Sequence, residues 1–261
     1  MSATAGDDYT RFCDGLRQLT GVDLSQYKRP QMERRLRSFL ERRGFRTHSD
    51  SLPSLRSDRA ELDALLDRMT INVSQLWRNP EHWQVLEKTV IPELGARGRV
   101  RGWSAGSSYG AEAYTMAAIC RQAAPQARIE ILGTDIDKRM VERARQGVFS
   151  SEDARSAPGD AMQRWFEPVA DGWQARHELR SICKFEVGDL LRVTPPQARF
   201  DLILCRNTVI YFSEPIRDEL HARLAGALAS GGYLMVGATE RVANPAALGL
   251  QSAHPFIFRK A

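Results

Sequence analysis

Apolar residues recur with two different periods along this chain, and the change falls near residue 70. Up to about residue 68 the spacing is helical. In "YTRFCDGLRQLTGV", Phe12, Leu16 and Leu19 share one helical face. In "PQMERRLRSFLERRGF", Met32, Leu36, Phe39 and Leu40 form a second apolar stripe. Pro30 in a first turn and Gly44 past the last apolar residue bound that helix. "DRAELDALLDRMT" predicts a third helix through Leu62, Leu65, Leu66 and Met69. The stretch "THSDSLPSLRSD" between the second and third is polar, holds a proline, and reads as a connection.

From about Val100 strand-like and helical stretches alternate. "VRGWSA", "RIEILGTDI", "CKFEVGDLL", "FDLILCRN", "GGYLMVGAT" and a closing "HPFIFRKA" read as strands. "AEAYTMAAICRQAA", "KRMVERARQGV" and "SEPIRDELHARLAGALA" read as helices. Such alternation predicts an α/β fold with a mostly parallel, doubly wound sheet. The unbroken apolar runs "DLILC" and "YLMVG" suit strands covered on both faces. Ligands of these sheets sit at the carboxyl ends of the strands, near the switch point. The expected division is a helical domain at 1–69, a linker at 70–83 and a Rossmann-like domain at 84–261.

Composition narrows the class. The 261 residues are 43% hydrophobic and 26% charged, as in ordinary globular proteins. No run of about 18 apolar residues predicts a membrane span. "MSATAGDDYTRF" has no apolar core and does not resemble a signal peptide, so a cytoplasmic protein is expected. The four cysteines form no CxxC pair, which argues for free thiols and against a metal site. A net charge of +5 permits nucleic acid, acidic membrane or acidic protein as partner and does not choose among them.

Chemistry collects just after the strands. Ala105-Gly106-Ser107-Ser108-Tyr109-Gly110 follows the first. Its small residues let backbone approach a ligand, but Glu112 in the next helical turn would repel a phosphate. A nucleoside with a cationic amino-acid tail fits better, and S-adenosylmethionine has one; alternatively, Glu112 only complements the helix dipole. Asp135 in "GTDID" stands where an acid accepts from ribose hydroxyls, unless it or Asp137 merely caps the next helix. Asp189 in "VGDLL" could bind an adenine amino group with Leu190 packed on the ring, or could be a turn aspartate. Arg206 and Asn207 end the fourth strand, in the cleft.

"TINVSQLWRNPEHW", "WSAGSSYGAEAYTMA", "TDID", "GDLL" and "CRNTVIYF", in that order, resemble the CheR family of chemotaxis-receptor glutamate methyltransferases. "YKRPQMERRLRSFL" extends the resemblance over nearly the whole chain. The resemblance implies a small helical N-terminal domain, a linker, and a Rossmann-like domain carrying a small β-subdomain, here about 163–185. It implies transfer of a methyl group from S-adenosylmethionine, leaving S-adenosylhomocysteine, to glutamates on receptor helices. The implied cofactor contacts are Asn72, Ser74, Arg78, Gly106, Glu112, Asp135, Asp189, Leu190, Arg206 and Asn207. Arg78 and Tyr211 are implied around the reacting carboxylate. The stretch "WFEPVADGWQARHEL" is short and lacks the glycine-rich insertion some members use to dock a receptor tether, so tether-independent binding is expected.

A glutamate acceptor is ionised near neutral pH, its reference pKa being about 4.3, and needs no general base. Positioning and electrostatics would then carry the reaction. The stretch from Lys28 to Arg46, with eight basic residues and two acids, reads as a solvated face or as a docking surface for acidic receptor helices. On it, Arg35 and Arg42 are expected beside the apolar stripe, and Arg34 and Arg37 away from it. No nucleic acid, metal or membrane insertion is expected, and the chain is expected to be a monomer. Two other readings stand beside this one. The chain could methylate RNA or a small molecule, or it could bind the cofactor without turnover.

Overall fold

A computed structural model of the chain describes residues 5–69, 74–192 and 195–261. The chain divides into two compact units, Met1–Asn72 with Tyr211–Ile216, and Val73–Ile210 with Arg217–Ala261.

The first unit holds α1 (Ala5–Thr20), α2 (Arg29–Glu41), α3 (Leu52–Ser57) and α4 (Arg59–Met69). The predicted apolar stripes meet in its core: Phe12, Leu16, Met32, Leu36, Phe39, Leu40, Leu62, Leu65 and Met69 are buried. The expected connection at 47–58 is instead a 3-10 turn followed by α3. Pro53 lies in the first turn of that helix, where its missing N–H costs nothing, so it starts the element it was expected to interrupt. Asp8 on α1 fastens this segment by accepting from the backbone N–H groups of His48 (2.9 Å) and Ser49 (3.1 Å). The unit also incorporates a segment distant in sequence. Lys28 N–H donates to the Tyr211 carbonyl at 2.9 Å, Ser213 N–H donates to the Gln26 carbonyl at 3.0 Å, and the Tyr27 and Phe212 rings meet edge to face.

In the second unit, α5 (Pro80–Val85) and α6 (Ile91–Gly95) precede β1 (Arg99–Ala105), α7 (Ala111–Ala123), β2 (Arg128–Asp135) and α8 (Lys138–Gln146). Next come β3 (Val148–Ser150), α9 (Gly159–Trp165), β4 (Phe166–Val169), β5 (Gly172–Ala175), α10 (His177–Arg180) and β6 (Cys183–Val187). β7 (Phe200–Cys205), α11 (Glu214–Ala227), β8 (Leu228–Val236), β9 (Leu250–His254) and β10 (Ile257–Lys260) complete the chain. The seven-stranded sheet has the order β6-β2-β1-β7-β8-β10-β9. The first five strands run parallel, while β10 is antiparallel to both β8 and β9. Every position of β7 is buried, which explains its apolar sequence. Strand order reverses between β1 and β7, so their carboxyl ends open a crevice.

Three local expectations need correction. The closing strand is a hairpin, β9–β10; β9 buries only Leu250 at its start and leaves polar residues outward, too weak a pattern to read. The small antiparallel sheet, in order β3-β5-β4, recruits Val148–Ser150 from outside 163–185. The helix expected through Ala229 ends at Ala227, because Leu228 already pairs with Phe200 of β7.

Candidate functional site

The turn from β1 into α7 is built for close approach. Gly106 has φ +84°, and a Cβ there would stand 2.5 Å from Thr208 Oγ1, so only glycine fits. The N–H groups of Gly106 and Ser107 both donate to the Thr134 carbonyl at 2.9 Å, tying the turn to the end of β2. Gly110, at φ +89°, starts α7. Ser107 is almost wholly buried, and its hydroxyl has no hydrogen-bond partner among the described residues.

Glu112 does not stand free in the first turn of α7. Ser104 on β1 donates to its Oε1 at 2.8 Å, and Arg206 Nη1 lies 3.6 Å from its Oε2. Burial raises the Glu112 carboxyl above the usual range; the Arg206 and Arg78 charges and the Ser104 hydrogen bond oppose that rise. Arg206, at the end of β7, has a side chain only 2% exposed. Its Nη2 donates to the Arg78 carbonyl (2.9 Å) and to Asn79 Oδ1 (3.1 Å), and its guanidinium lies 5.3 Å from the centre of the Trp83 ring. Its Nε is buried without a partner among the described residues. Burial lowers its pKa, and the neighbouring Glu112 carboxylate counters that effect.

Asp135 and Asp137 make different contacts. Asp137 caps α8 by accepting from Arg139 N–H at 2.9 Å. Asp135 accepts from the N–H groups of Ser108 (2.7 Å) and Asp137 (2.9 Å), so it bridges the β1–α7 turn and the end of β2. Burial raises its carboxyl, and these hydrogen bonds lower it in part. Asp189 is held as a turn aspartate. It accepts from Leu191 N–H at 2.9 Å and pairs with Arg192 at 3.4 Å, while Leu190 beside it is half-buried.

Glu240, which the sequence reading missed, fixes the far wall. Its carboxylate, buried to 4% exposure, accepts from Asn207 N–H (2.9 Å), Val209 N–H (3.0 Å) and Gly237 N–H (2.7 Å). Asn207 is thereby held at φ +57°, a left-handed conformation that asparagine tolerates better than most residues. Burial raises Glu240, against the pull of these N–H donors. An acid three residues past the apolar strand "YLMVG" was the available signal.

The linker residues Ser74 and Arg78 lie in this unit, and Asn72 lies outside the described residues. The Ser74 carbonyl accepts from the Tyr109 hydroxyl. The Arg78 charge acts on both Glu112 and Arg206, so the structure brings Arg78, Glu112 and Arg206 together. Tyr211 belongs to the other unit, where Arg35 lies 5.0 Å over its ring. Arg35 is half-buried, with Nη1 unpartnered among the described residues, and does not stand with the other α2 arginines. Arg34 and Arg42 are exposed, and exposed Arg37 pairs with Glu33 at 2.9 Å.

These residues suit a nucleoside with a charged amino-acid tail. Gly106 leaves the turn without a side chain, Ser107 and Arg206 offer polar atoms unsatisfied among the described residues, and Glu112 and Asp135 supply acids. Among the described residues, no cluster of three or more His, Cys, Asp or Glu is arranged to hold a metal ion, and no helix is long and apolar enough to cross a membrane.

Comparison with known proteins agrees with the expected family. The pattern described as "CheR methyltransferase, SAM binding domain" matches residues 72–254, and "CheR methyltransferase, all-alpha domain" matches residues 7–70. A "Chemotaxis protein methyltransferase" of Listeria innocua is 34% identical, over 97% of both chains. "Chemotaxis protein methyltransferase 1" of Pseudomonas aeruginosa is 30% identical, over 94% of this chain and 93% of its own. With an all-helical unit ahead of an S-adenosylmethionine-binding α/β unit, this chain belongs to the CheR family of S-adenosylmethionine-dependent methyltransferases.

Proposed function

We propose that this chain methylates glutamate side chains of chemotaxis receptors, in the cytoplasm, forming glutamyl methyl esters. The observation that carries the reading is the group of Glu112, Arg206 and Arg78, in which a buried guanidinium lies against the Glu112 carboxylate and the Arg78 charge reaches both. Glu240, whose charge also reaches Glu112 and Arg206, is held beside this group by backbone N–H donors, and a guanidinium in such a setting can grip a further carboxylate in two-pronged fashion. S-adenosylmethionine supplies an electrophilic methyl group on a sulfonium when bound.

In this reading Glu112 holds the ammonium of the methionine tail, Gly106 admits it, and Asp135 accepts from ribose hydroxyls. Asn72, Ser74, Asp189, Leu190, Arg206 and Asn207 complete the cofactor contacts. Arg78 grips a carboxylate in two-pronged fashion, and the Tyr211 hydroxyl donates to the acceptor carboxylate. The acceptor is already ionised at neutral pH, so these residues orient it and move no proton. Arg34, Arg35, Arg37 and Arg42 on the helical domain (1–69) meet acidic receptor helices, with 70–83 as the linker into the catalytic domain. The short β4–β5 hairpin supports docking without a receptor tether.

Transfer of labelled methyl from S-adenosylmethionine to a receptor fragment tests the reading. Label should enter the wild-type fragment, and it should be lost with Arg78→Ala or when the acceptor glutamates are changed to alanine. Undiminished labelling of the alanine-substituted fragment would refute the proposed acceptor.

A further inference from the structure

Three side chains outside the strand-end set converge on the linker. The Tyr109 hydroxyl lies within hydrogen-bond reach of both the Ser74 carbonyl and Asp153 Oδ1, the latter at 2.8 Å. Asp153 is itself fixed. Its Oδ2 accepts from Arg143 Nη2 (2.7 Å) and Ser150 N–H (2.9 Å), and its own N–H donates to Ser150 Oγ (3.1 Å), a reciprocal Ser-x-x-Asp arrangement. Its carbonyl accepts from Leu76 N–H at 2.9 Å. The Arg143 guanidinium then lies 3.9 Å over the Tyr109 ring.

The linker needs such a hold. Trp77 has φ +51° and Asn79 has φ +58°. A bulky residue in the left-handed region costs of order 1–3 kcal/mol and persists only where its surroundings over-determine it. Trp77 N–H is also pinned, donating to Thr115 Oγ1 on α7 at 3.1 Å.

The position of Tyr109 gives the hold a direction. Its neighbour Ser108 donates N–H to Asp135, so a single turn links Asp135 on one side with the Ser74–Arg78 segment on the other. We propose that Tyr109, Asp153 and Arg143 are positioning residues, a clamp that seats the linker on the β1–α7 turn and so sets the distance between the two halves of the cofactor site. The proposal rests on the cofactor contacts assigned above to Ser74, Arg78 and Asp135. Tyr109 gives the clamp its specificity. Its ring is buried, and its phenol is pushed far above the usual range by burial and by Asp153, so it acts as a fixed donor.

Tyr109→Phe keeps the ring and its stacking and removes only the hydroxyl. Calorimetry with S-adenosylhomocysteine should show affinity about tenfold weaker, the scale of a lost hydrogen bond beside a charged partner. The KM for S-adenosylmethionine should rise with it, while the KM for a receptor fragment stays unchanged. Asp153→Ala should act in the same direction, and the double variant should be no worse than the worse single one, because both remove the same clamp. Affinity and both KM values within twofold of wild type for Tyr109→Phe would overturn the clamp, whatever happens to the melting temperature. Fully additive losses would overturn it as well. If Asp153→Ala fails to fold, Tyr109→Phe decides alone. Asp135→Ala serves as the control. Unchanged binding in that variant refutes the cofactor-site assignment itself, whereas weakened binding there with none in Tyr109→Phe refutes only the clamp.

Discussion

The arginines of the strand-end crevice and those of α2 are chemically identical and physically opposite. Arg206 is buried against Trp83, with fixed acceptors in Arg78, Asn79 and Glu112. Arg34, Arg37 and Arg42 are exposed, and Arg37 pairs with its i−4 neighbour Glu33. A buried guanidinium cannot reorient without losing several contacts, so it specifies geometry. An exposed one is worth little at any single position and acts through the summed field it adds to. Arg35 falls between these classes, on α2 by sequence yet turned onto Tyr211.

The largest effect is therefore expected at the buried arginine. Arg206→Ala should leave Glu112 buried without its principal cation. It should cost about 3–5 kcal/mol of stability and lower S-adenosylhomocysteine affinity at least about 100-fold. Denaturant melts and calorimetry check both, and a variant with near wild-type affinity would erase the distinction between the two regions. Next comes Asp135→Ala, expected to weaken cofactor binding by about 10- to 100-fold with a smaller change in melting temperature.

In the helical unit a smaller effect should follow pH. Burial pushes the Asp8 carboxyl up, but hydrogen bonds from Ser49 and His48 outweigh it, and its pKa is lowered. A lowered carboxyl stabilises the fold above its unfolded pKa and loses that contribution as pH falls through the folded value. Asp8→Ala should thus cost about 1–2 kcal/mol near pH 7. The gap to wild type should close as pH falls below the ordinary aspartate range, near 4. A gap that persisted at acid pH would mean that packing rather than charge holds the α1–α3 corner.

The smallest effect on stability belongs to the exposed arginines. Reversing Arg34, Arg37 and Arg42 to Glu should change stability by about 0.5 kcal/mol per site or less. The KM for a receptor fragment should rise severalfold at low salt, and the rise should shrink near 0.5 M salt. An unchanged KM would remove the docking role.

What could be read from sequence follows the same division. The helix stripes of α1, α2 and α4 and the buried parallel strands announced themselves, because burial on one face or both imposes a period on the chain. β3 and β9 did not, being short strands with few buried positions. Gly106, Glu112, Asp135 and Arg206 were legible from their place just after strands. Their mutual contacts were not, because pairing across β1, β2 and β7 depends on sheet order, which no local pattern states. Glu240 shows this best. It lies 30 residues or more from Asn207 and Val209, whose N–H groups it binds, and only the β7–β8 pairing brings it there. Asp189 shows the converse. Its bonds to Leu191 N–H and to Arg192 are local to its own turn, so no sheet order is needed to form them.

The central claim is that the accepting group is a carboxylate. Wild-type protein, labelled S-adenosylmethionine and a purified receptor fragment should yield protein-bound label that mild base releases quantitatively as methanol. Label that survives base would place the methyl group on nitrogen or carbon and contradict the account.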